Sequence, residues 1–460
     1  MSMGTLHMVA DAVNGTLIGA DRAFDSICTD TRTLQEGQLF FALQGDNFDA
    51  EQFIGQAAEL GAAGAVVRAR HTIDLPQVEV DDTRRALGQL ASAWRDKFSG
   101  TVIAVTGSNG KTTVKEMLAS IFRVQCAAPT ELLVTRGNLN NDIGLPLTLL
   151  ELRDHHHVAV LEMGASHPGE IAYLANIARP GVGIVTNAGS AHLEGFGSEE
   201  MVAATKGEMF ECLTADGVAV INRDDRWFDS WRARASHARI VTFGLHPEAD
   251  FRAVDIVDSG EADDCRISFT LQTPAGSVQI DLPMAGRHNV LNALAAAAAV
   301  SEVGVSLDVV RRGLSATANV AGRLCALTGR DGAAIYDDSY NANPVSVKAA
   351  IEFLAARRGD RCFVFGDMAE LGPDSDALHR QVGQAARASG LDRFICVGPS
   401  SRAAAAAYGD EAEWYADVDA LVERWRHRNL SGLSILVKAS RSMGLERVVQ
   451  VLIDSAEGAG

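Results

Sequence analysis

Residues 101–122 read "TVIAVTGSNGKTTVKEMLASIF". The opening residues are an apolar, β-branched run, and the closing eleven set Val114, Met117, Leu118, Ile121 and Phe122 at helical spacing. Between them, Gly107-x-x-Gly110-Lys111-Thr112 ends a strand and begins a helix. That order aims several backbone N–H groups, and the positive end of the helix dipole, at one point. Lys111 adds a cation able to reach β- and γ-phosphates, and Thr112 a hydroxyl for a Mg²⁺ bridging them. The usual spacing, G-x-x-x-x-G-K-[ST], wants glycine where this chain has Val105, so the match is partial. A plain strand-to-helix turn explains the glycines but not lysine and threonine at the start of the helix. Gly107, Ser108, Asn109, Gly110, Lys111, Thr112 and Thr113 therefore read as a phosphate cradle.

Working outward, the runs "HVAVLEMG" (157–164), "VGIVTNAG" (182–189), "GVAVIN" (217–222) and "ARIVTFG" (238–244) are short, apolar and end in Gly or Asn. Strands alternating with helices imply a mostly parallel, buried sheet. Residues 250–284 differ: "CRISFTLQTPAGSVQIDLP" alternates with period two about Pro-Ala-Gly, the pattern of an antiparallel excursion. A helix-rich stretch, 288–314, closes this region. Before it, residues 1 to about 98 alternate strand and helix signals, ending in the amphipathic "RRALGQLASAWRDKF" (84–98). After about 319 a further series begins with "AAIYDDS", "RCFVFGDM", "RFICVG" and "SILVKAS". The expected architecture is α/β in three domains, 1–98, 99–318 and 319–460. A central mononucleotide-binding parallel sheet is flanked by a small N-terminal α/β domain and a C-terminal Rossmann-like one.

Composition narrows the function. The chain has 460 residues, 41 basic and 59 acidic, for a formal charge of −18. A chain so acidic repels DNA and anionic lipid as a whole, so no nucleic-acid partner is expected and any anionic ligand needs a local site. Its seven scattered cysteines include no C-x-x-C pair, which argues for a reducing compartment without a disulfide framework or zinc site. The N-terminus lacks a basic, apolar leader pattern, and the apolar "NALAAAAAV" (292–300) is too short to span a bilayer. The expected protein is cytoplasmic, not membrane-embedded, and a monomer.

Other residues gain meaning only together. Glu162 stands at the carboxyl end of a strand, the rim where open α/β sheets bind ligands, and a carboxylate there can hold Mg²⁺. Alone it reads more often as a helix cap or a surface charge. His192 follows another strand end in "VTNAGSAHLEGFGS", and by itself is an ordinary loop histidine. Lys206 in "ATKGEMF" reads alone as a solvated charge. Asn289 and Asn292 near a helix start suit capping or an adenine edge. Arg323, Asp337 and Asp338 lie at strand ends or domain edges.

Together these stretches resemble the Mur ligase family, the ATP-dependent amide-forming enzymes of peptidoglycan precursor synthesis. The resemblance runs from "DTRTLQEGQLFFALQG" through "TGSNGKTT", "RGNLNNDIGLPLTLL", "LEMGASHPGEI", "TNAGSAHLEGFGS", "KGEMF", "GRHNVLNALAA" and "DDSYNANP" to "LVKASRSMGLE". The family's phosphate loop has the shorter glycine spacing. "NLNNDIGLP", "EMGASHPGEI" and "DDSYNANP" look most like the member that adds D-alanyl-D-alanine to UDP-N-acetylmuramoyl tripeptide. The resemblance implies ATP and Mg²⁺, with Thr112 and Glu162 as metal positions and His192 at a second metal. It makes Lys111, Glu162, His192 and Lys206 catalytic, Lys206 matching a lysine that the family carbamylates. It gives Asn292, Arg323 and Asp338 to the nucleotide, Asp30, Thr31 and Arg32 to the UDP end, and Asn138 and Asn140 to the muramoyl-peptide channel. The chain departs from the family at "GDNFDAEQF" (45–53), where a D-G-H-x-F-like segment is common, and at Ala439, where glycine is common.

Overall fold

The computed structural model describes residues 2–45, 48–190, 193–258 and 266–453. They form two compact units, residues 1–104, 128–165 and 169–182 in one and residues 105–127, 166–168 and 183–460 in the other.

In the first unit a five-stranded sheet runs in the order Thr16–Ile18, Gln77–Glu79, Gly64–Val67, Leu39–Phe41, Ile27–Cys28. Only the Thr16–Ile18 pairing is antiparallel. Strand Leu39–Phe41 is buried throughout, as its unbroken apolar run requires. The helix Thr83–Arg95 begins where Asp82 accepts from the N–H groups of Arg84 and Arg85 at 2.8 and 3.0 Å, satisfying two donors that a helix start leaves unpaired. Strands Leu132–Val134, Val158–Glu162 and Thr101–Thr106 follow side by side, the first two parallel. Val158–Glu162 is buried along its length and delivers Glu162 to its carboxyl end.

In the second unit, strands Val182–Val185, Val218–Asn222, Arg239–Gly244 and Phe251–Asp258 lie in chain order, parallel from Val218 onward. Ile267–Thr273 and Gly276–Leu282 then turn antiparallel, with Thr273 opposite Gly276 and Pro274–Ala275 making the turn. This is the excursion that the period-two pattern foretells. A six-stranded sheet completes the unit in the order Cys325–Thr328, Ala334–Asp337, Leu433–Lys438, Asp360–Gly366, Arg393–Val397, Glu413–Tyr415. All its pairings are parallel except the first. Its strands send alternate residues to two cores: Tyr336, Phe363, Phe365, Phe394 and Leu436 to one, Ile335, Cys362, Val364, Ile395, Ile435 and Val437 to the other. Burial on both faces explains runs such as "CFVF" and pushes the Cys362 thiol up to about 12. The edge strands Cys325–Thr328 and Glu413–Tyr415 escaped the sequence reading because neither is a sustained apolar run. Among the described residues, no helix is long and apolar enough to cross a membrane.

Candidate active site

Strand Thr101–Thr106 ends and helix Lys111–Gln125 begins across the loop 107–110. Gly107 has φ +146° and Gly110, the residue before the helix, has φ +82°. Both glycines are also demanded by space. A Cβ on Gly107 would stand 1.9 Å from Thr186 Oγ1, and one on Gly110 2.3 Å from Asn292 Oδ1. Asn292 is thus brought against the phosphate loop, buried on the helix Arg287–Ser301, its Nδ2 donating to Asn289 Oδ1 at 3.1 Å.

The loop is braced from behind. The Ser108 N–H donates to Asn187 O at 3.0 Å, the Asn109 N–H to Asn187 Oδ1 at 3.0 Å, and Thr186 Oγ1 and Asn187 Nδ2 donate to Asn109 O at 2.6 and 3.1 Å. Ser108 Oγ accepts from the Gly189 N–H at 3.0 Å. With the amides of 108 and 109 so engaged, an anion at the loop would meet the start of the helix Lys111–Gln125, where helix geometry points the N–H groups along the axis. Lys111 Nζ folds over the loop onto Gly107 O at 2.8 Å and Ser108 O at 3.4 Å. Thr113 is buried and Thr112 half-buried. Thr112 Oγ1 accepts from Arg323 Nη2 at 3.0 Å, joining residues 211 positions apart. Asn109 Oδ1 accepts from Asn343 Nδ2 at 2.8 Å.

Asp338 continues beyond strand Ala334–Asp337, and Lys438 Nζ donates to its Oδ2 at 2.7 Å and to Asn341 O at 2.8 Å. Lys438 is 3% exposed and was missed in the sequence. The signal for it was the one used for Glu162, a polar residue closing an apolar strand at its carboxyl end. Lys206 corrects its stand-alone reading as a solvated charge: it is 1% exposed on helix Glu199–Glu211, with Nζ 5.2 Å from the centre of the Phe196 ring. His192 lies outside the described residues.

In the first unit, Glu162 is 2% exposed. Its N–H donates to Thr135 Oγ1 at 3.0 Å, and its Oε1 accepts from Asn140 Nδ2 at 2.8 Å. Gly164 N–H donates to Asn140 O at 2.8 Å, fixing the asparagine's backbone beside the carboxylate. Asn138 is exposed in the same loop. Asn140 thereby gains a role the sequence did not assign, that of orienting Glu162. Asn140→Ala is expected to lower activity about tenfold by loosening the carboxylate's orientation, with the glutamine variant recovering part of it, in initial-rate assays. Rates within about twofold of the unaltered protein would refute that role. Arg32 grips Asp30 with Nε–Oδ1 at 2.9 Å and Nη2–Oδ2 at 2.6 Å, and these bonds hold the Asp30 carboxyl at about 2. Thr31 Oγ1 donates to Gln56 Oε1 at 2.9 Å, tying this loop to the neighbouring helix Ile54–Glu59. The altered segment 45–53 includes residues 46–47, outside the described residues. Within it Glu51 accepts from the Arg68 N–H at 2.5 Å and lies 3.2 Å from His71 Nε2.

Thr112 in the second unit offers a hydroxyl and Glu162 in the first a carboxylate, each the kind of hard oxygen donor that Mg²⁺ takes. The described residues contain no group of three or more His, Cys, Asp or Glu side chains that could hold a metal.

The chain is similar to known proteins over nearly its whole length. Residues 105–300 match the Mur ligase middle domain, and residues 322–441 the domain described as Mur ligase, glutamate ligase domain. The chain is 45% identical over 451 residues to the UDP-N-acetylmuramoyl-tripeptide–D-alanyl-D-alanine ligase of Escherichia coli K12, covering 97% of this chain and 98% of that one. It is 35% identical to the Bacillus subtilis protein of the same name, covering 98% of each. The crystal structure of MurF from Acinetobacter baumannii superposes with a TM-score of 0.90 at 35% identity over 98% of both chains. The MurF ligase of Thermotoga maritima in complex with ADP does so at 0.82, with 28% identity over 93% of this chain and 96% of that one. Likeness at this identity over nearly the whole length shows that the chain belongs to the Mur ligase family.

Proposed function

We propose that this chain joins D-alanyl-D-alanine to UDP-N-acetylmuramoyl tripeptide at the expense of ATP, through an acyl phosphate, giving the pentapeptide, ADP and phosphate. The observation that carries the reading is the full-length identity to ligases of that name, coupled to a glycine loop whose threonine is already in contact with Arg323. The chemistry explains the parts. A carboxylate is a poor electrophile because its oxygen leaves badly. Moving the γ-phosphoryl of ATP onto it creates a leaving group, and phosphoryl transfer asks the protein for positioning and charge neutralisation.

On this reading the start of helix Lys111–Gln125 and the Lys111 side chain hold the phosphates. Arg323, aimed at Thr112, adds charge beside them, and Asp338, fixed by Lys438, meets the nucleotide together with Asn292. Thr112 and Glu162, with His192, are the residues that would hold Mg²⁺, which when bound neutralises phosphate charge. Carbamylation of the buried Lys206 would give an anionic oxygen beside a second ion. Asp30, Thr31 and Arg32 receive the UDP end, and Asn138 and Asn140 line the muramoyl-peptide channel. The domains divide at 98/99 and 318/319, and the enzyme works in the cytoplasm as a monomer.

The test is phosphate release from ATP with the UDP-tripeptide, with and without D-alanyl-D-alanine, alongside mass detection of product. Release that needs both acceptor and dipeptide, with matching pentapeptide, is expected. Release indifferent to the dipeptide would point instead to an ATP-driven switch or to a ligase for another amine.

A further inference from the structure

The incoming dipeptide carries a carboxylate at the end remote from its reacting amine. That charge separates it from neutral amines, and a chain of net charge −18 needs a placed cation to receive it. The inference drawn from this rests on the ligase reading above. The six-stranded sheet reverses its strand order around Leu433–Lys438, between Ala334–Asp337 and Asp360–Gly366, and ligands of open sheets bind beyond the carboxyl ends at such a point.

Three cations gather around the loop 338–343 at this rim. Arg323 lies 4.3 Å over the Tyr340 ring and donates to Thr112, so it serves the phosphate loop. Lys438 is buried and engaged by Asp338 and Asn341. Arg441 lies 5.6 Å from the centre of the same Tyr340 ring, its side chain 62% exposed, with Glu446 Oε1 at 3.4 Å as its ion-pair partner. One aromatic ring is thus shared by the guanidinium on the phosphate loop and a guanidinium open to solvent.

We propose that Arg441 binds the C-terminal carboxylate of the incoming dipeptide. The exposed pair with Glu446 contributes little, so the guanidinium gives it up readily for a ligand whose carboxylate matches its planar fork. The backbone beneath it is held firmly. Ala439 is fully buried, and a Cβ on Gly366 would stand 2.6 Å from its own. The Ser440 N–H donates to Asp367 O at 3.0 Å, and Ser440 Oγ accepts from the Ala369 N–H at 2.7 Å. The chain therefore leaves strand Leu433–Lys438 along one path into the turn Arg441–Met443, so a mobile charged head sits on a fixed stem.

The test compares initial rates with D-alanyl-D-alanine and with its C-terminal amide, using the full-length enzyme. The unaltered enzyme is expected to prefer the acid. Arg441→Gln is expected to raise KM for the acid by about tenfold or more and to bring the acid-to-amide ratio of kcat/KM toward one, with Arg441→Lys intermediate. KM for ATP and for the UDP-tripeptide should stay unchanged, which a misfolded variant would not allow. An acid preference retained in Arg441→Gln overturns the assignment, as does an unaltered enzyme that uses acid and amide alike. No ligation of either by the unaltered enzyme overturns the ligase reading itself, and this assignment with it.

Discussion

Lys111→Met is expected to lower turnover by about a hundred- to a thousandfold while leaving the protein folded. At rest the Lys111 ammonium covers two neutral carbonyls of its own loop, Gly107 O and Ser108 O. Bound triphosphate offers it anionic oxygens instead, and the charge it meets grows as the γ-phosphoryl leaves. An interaction that strengthens toward the transition state acts on kcat, and losing one such donor commonly costs about 3–4 kcal/mol of barrier. The folded loop loses much less. Its shape is held by Thr186, Asn187 and Gly189, none of which depends on the lysine side chain. Single-turnover phosphate release should therefore collapse in a variant whose melting temperature is nearly unchanged. Lys111→Arg keeps the charge but not the compact ammonium, and less than about a tenth of the rate should return. A methionine variant within about threefold of the unaltered rate would remove Lys111 from the mechanism.

How far the sequence disclosed this site depended on whether a residue's partner was near in the chain. The phosphate loop was legible because strand, glycines, lysine and helix are contiguous, and the local dihedral demands of Gly107 and Gly110 select their own residue type. Glu162 was legible from its place at a strand end. What stayed hidden lies in pairings across long separations. The Asn109–Asn343 bond joins residues 234 apart, Asn140 looks like any loop asparagine until Glu162 is seen beside it, and Lys438 and Arg441 fall three residues apart yet differ completely in burial. No periodicity reports such contacts, because they are made by topology. The same holds for the short edge strands, which pairing with a neighbour defines more than their own composition does. The three α/β sheets, by contrast, followed from continuous apolar runs that only a doubly covered parallel sheet can bury.

Lys206 offers the sharpest contrast between stability and activity. Helix Glu199–Glu211 is covered on several sides, burying Val202, Ala203, Thr205, Gly207, Met209 and Phe210 along with the lysine. Trp231 Nε1 donates to Ala203 O at 2.9 Å, Arg234 Nη1 donates to Ala204 O at 3.2 Å, and a Cβ at Gly207 would stand 2.9 Å from the Trp231 ring. The lysine is therefore rooted in a fixed segment, and an ionised group held there carries a desolvation penalty of several kcal/mol that its partners must offset. Methionine matches much of the lysine's length and volume without the charge. Lys206→Met is expected to lower the melting temperature by only a few degrees, because the apolar replacement packs well but leaves the groups that the lysine meets uncompensated. Ligation should nevertheless fall by about a hundredfold or more if the site needs the anionic oxygen that carbamylation would place there. Two further readings follow from that chemistry. Native-state mass should exceed the chain by one CO₂ in the unaltered protein and not in the variant, and stripping bicarbonate should depress the activity of the unaltered enzyme reversibly. A methionine variant that no longer folds would mean that the lysine itself holds the helix in place. A variant as active as the parent would show that the burial of Lys206 serves packing and nothing in the reaction.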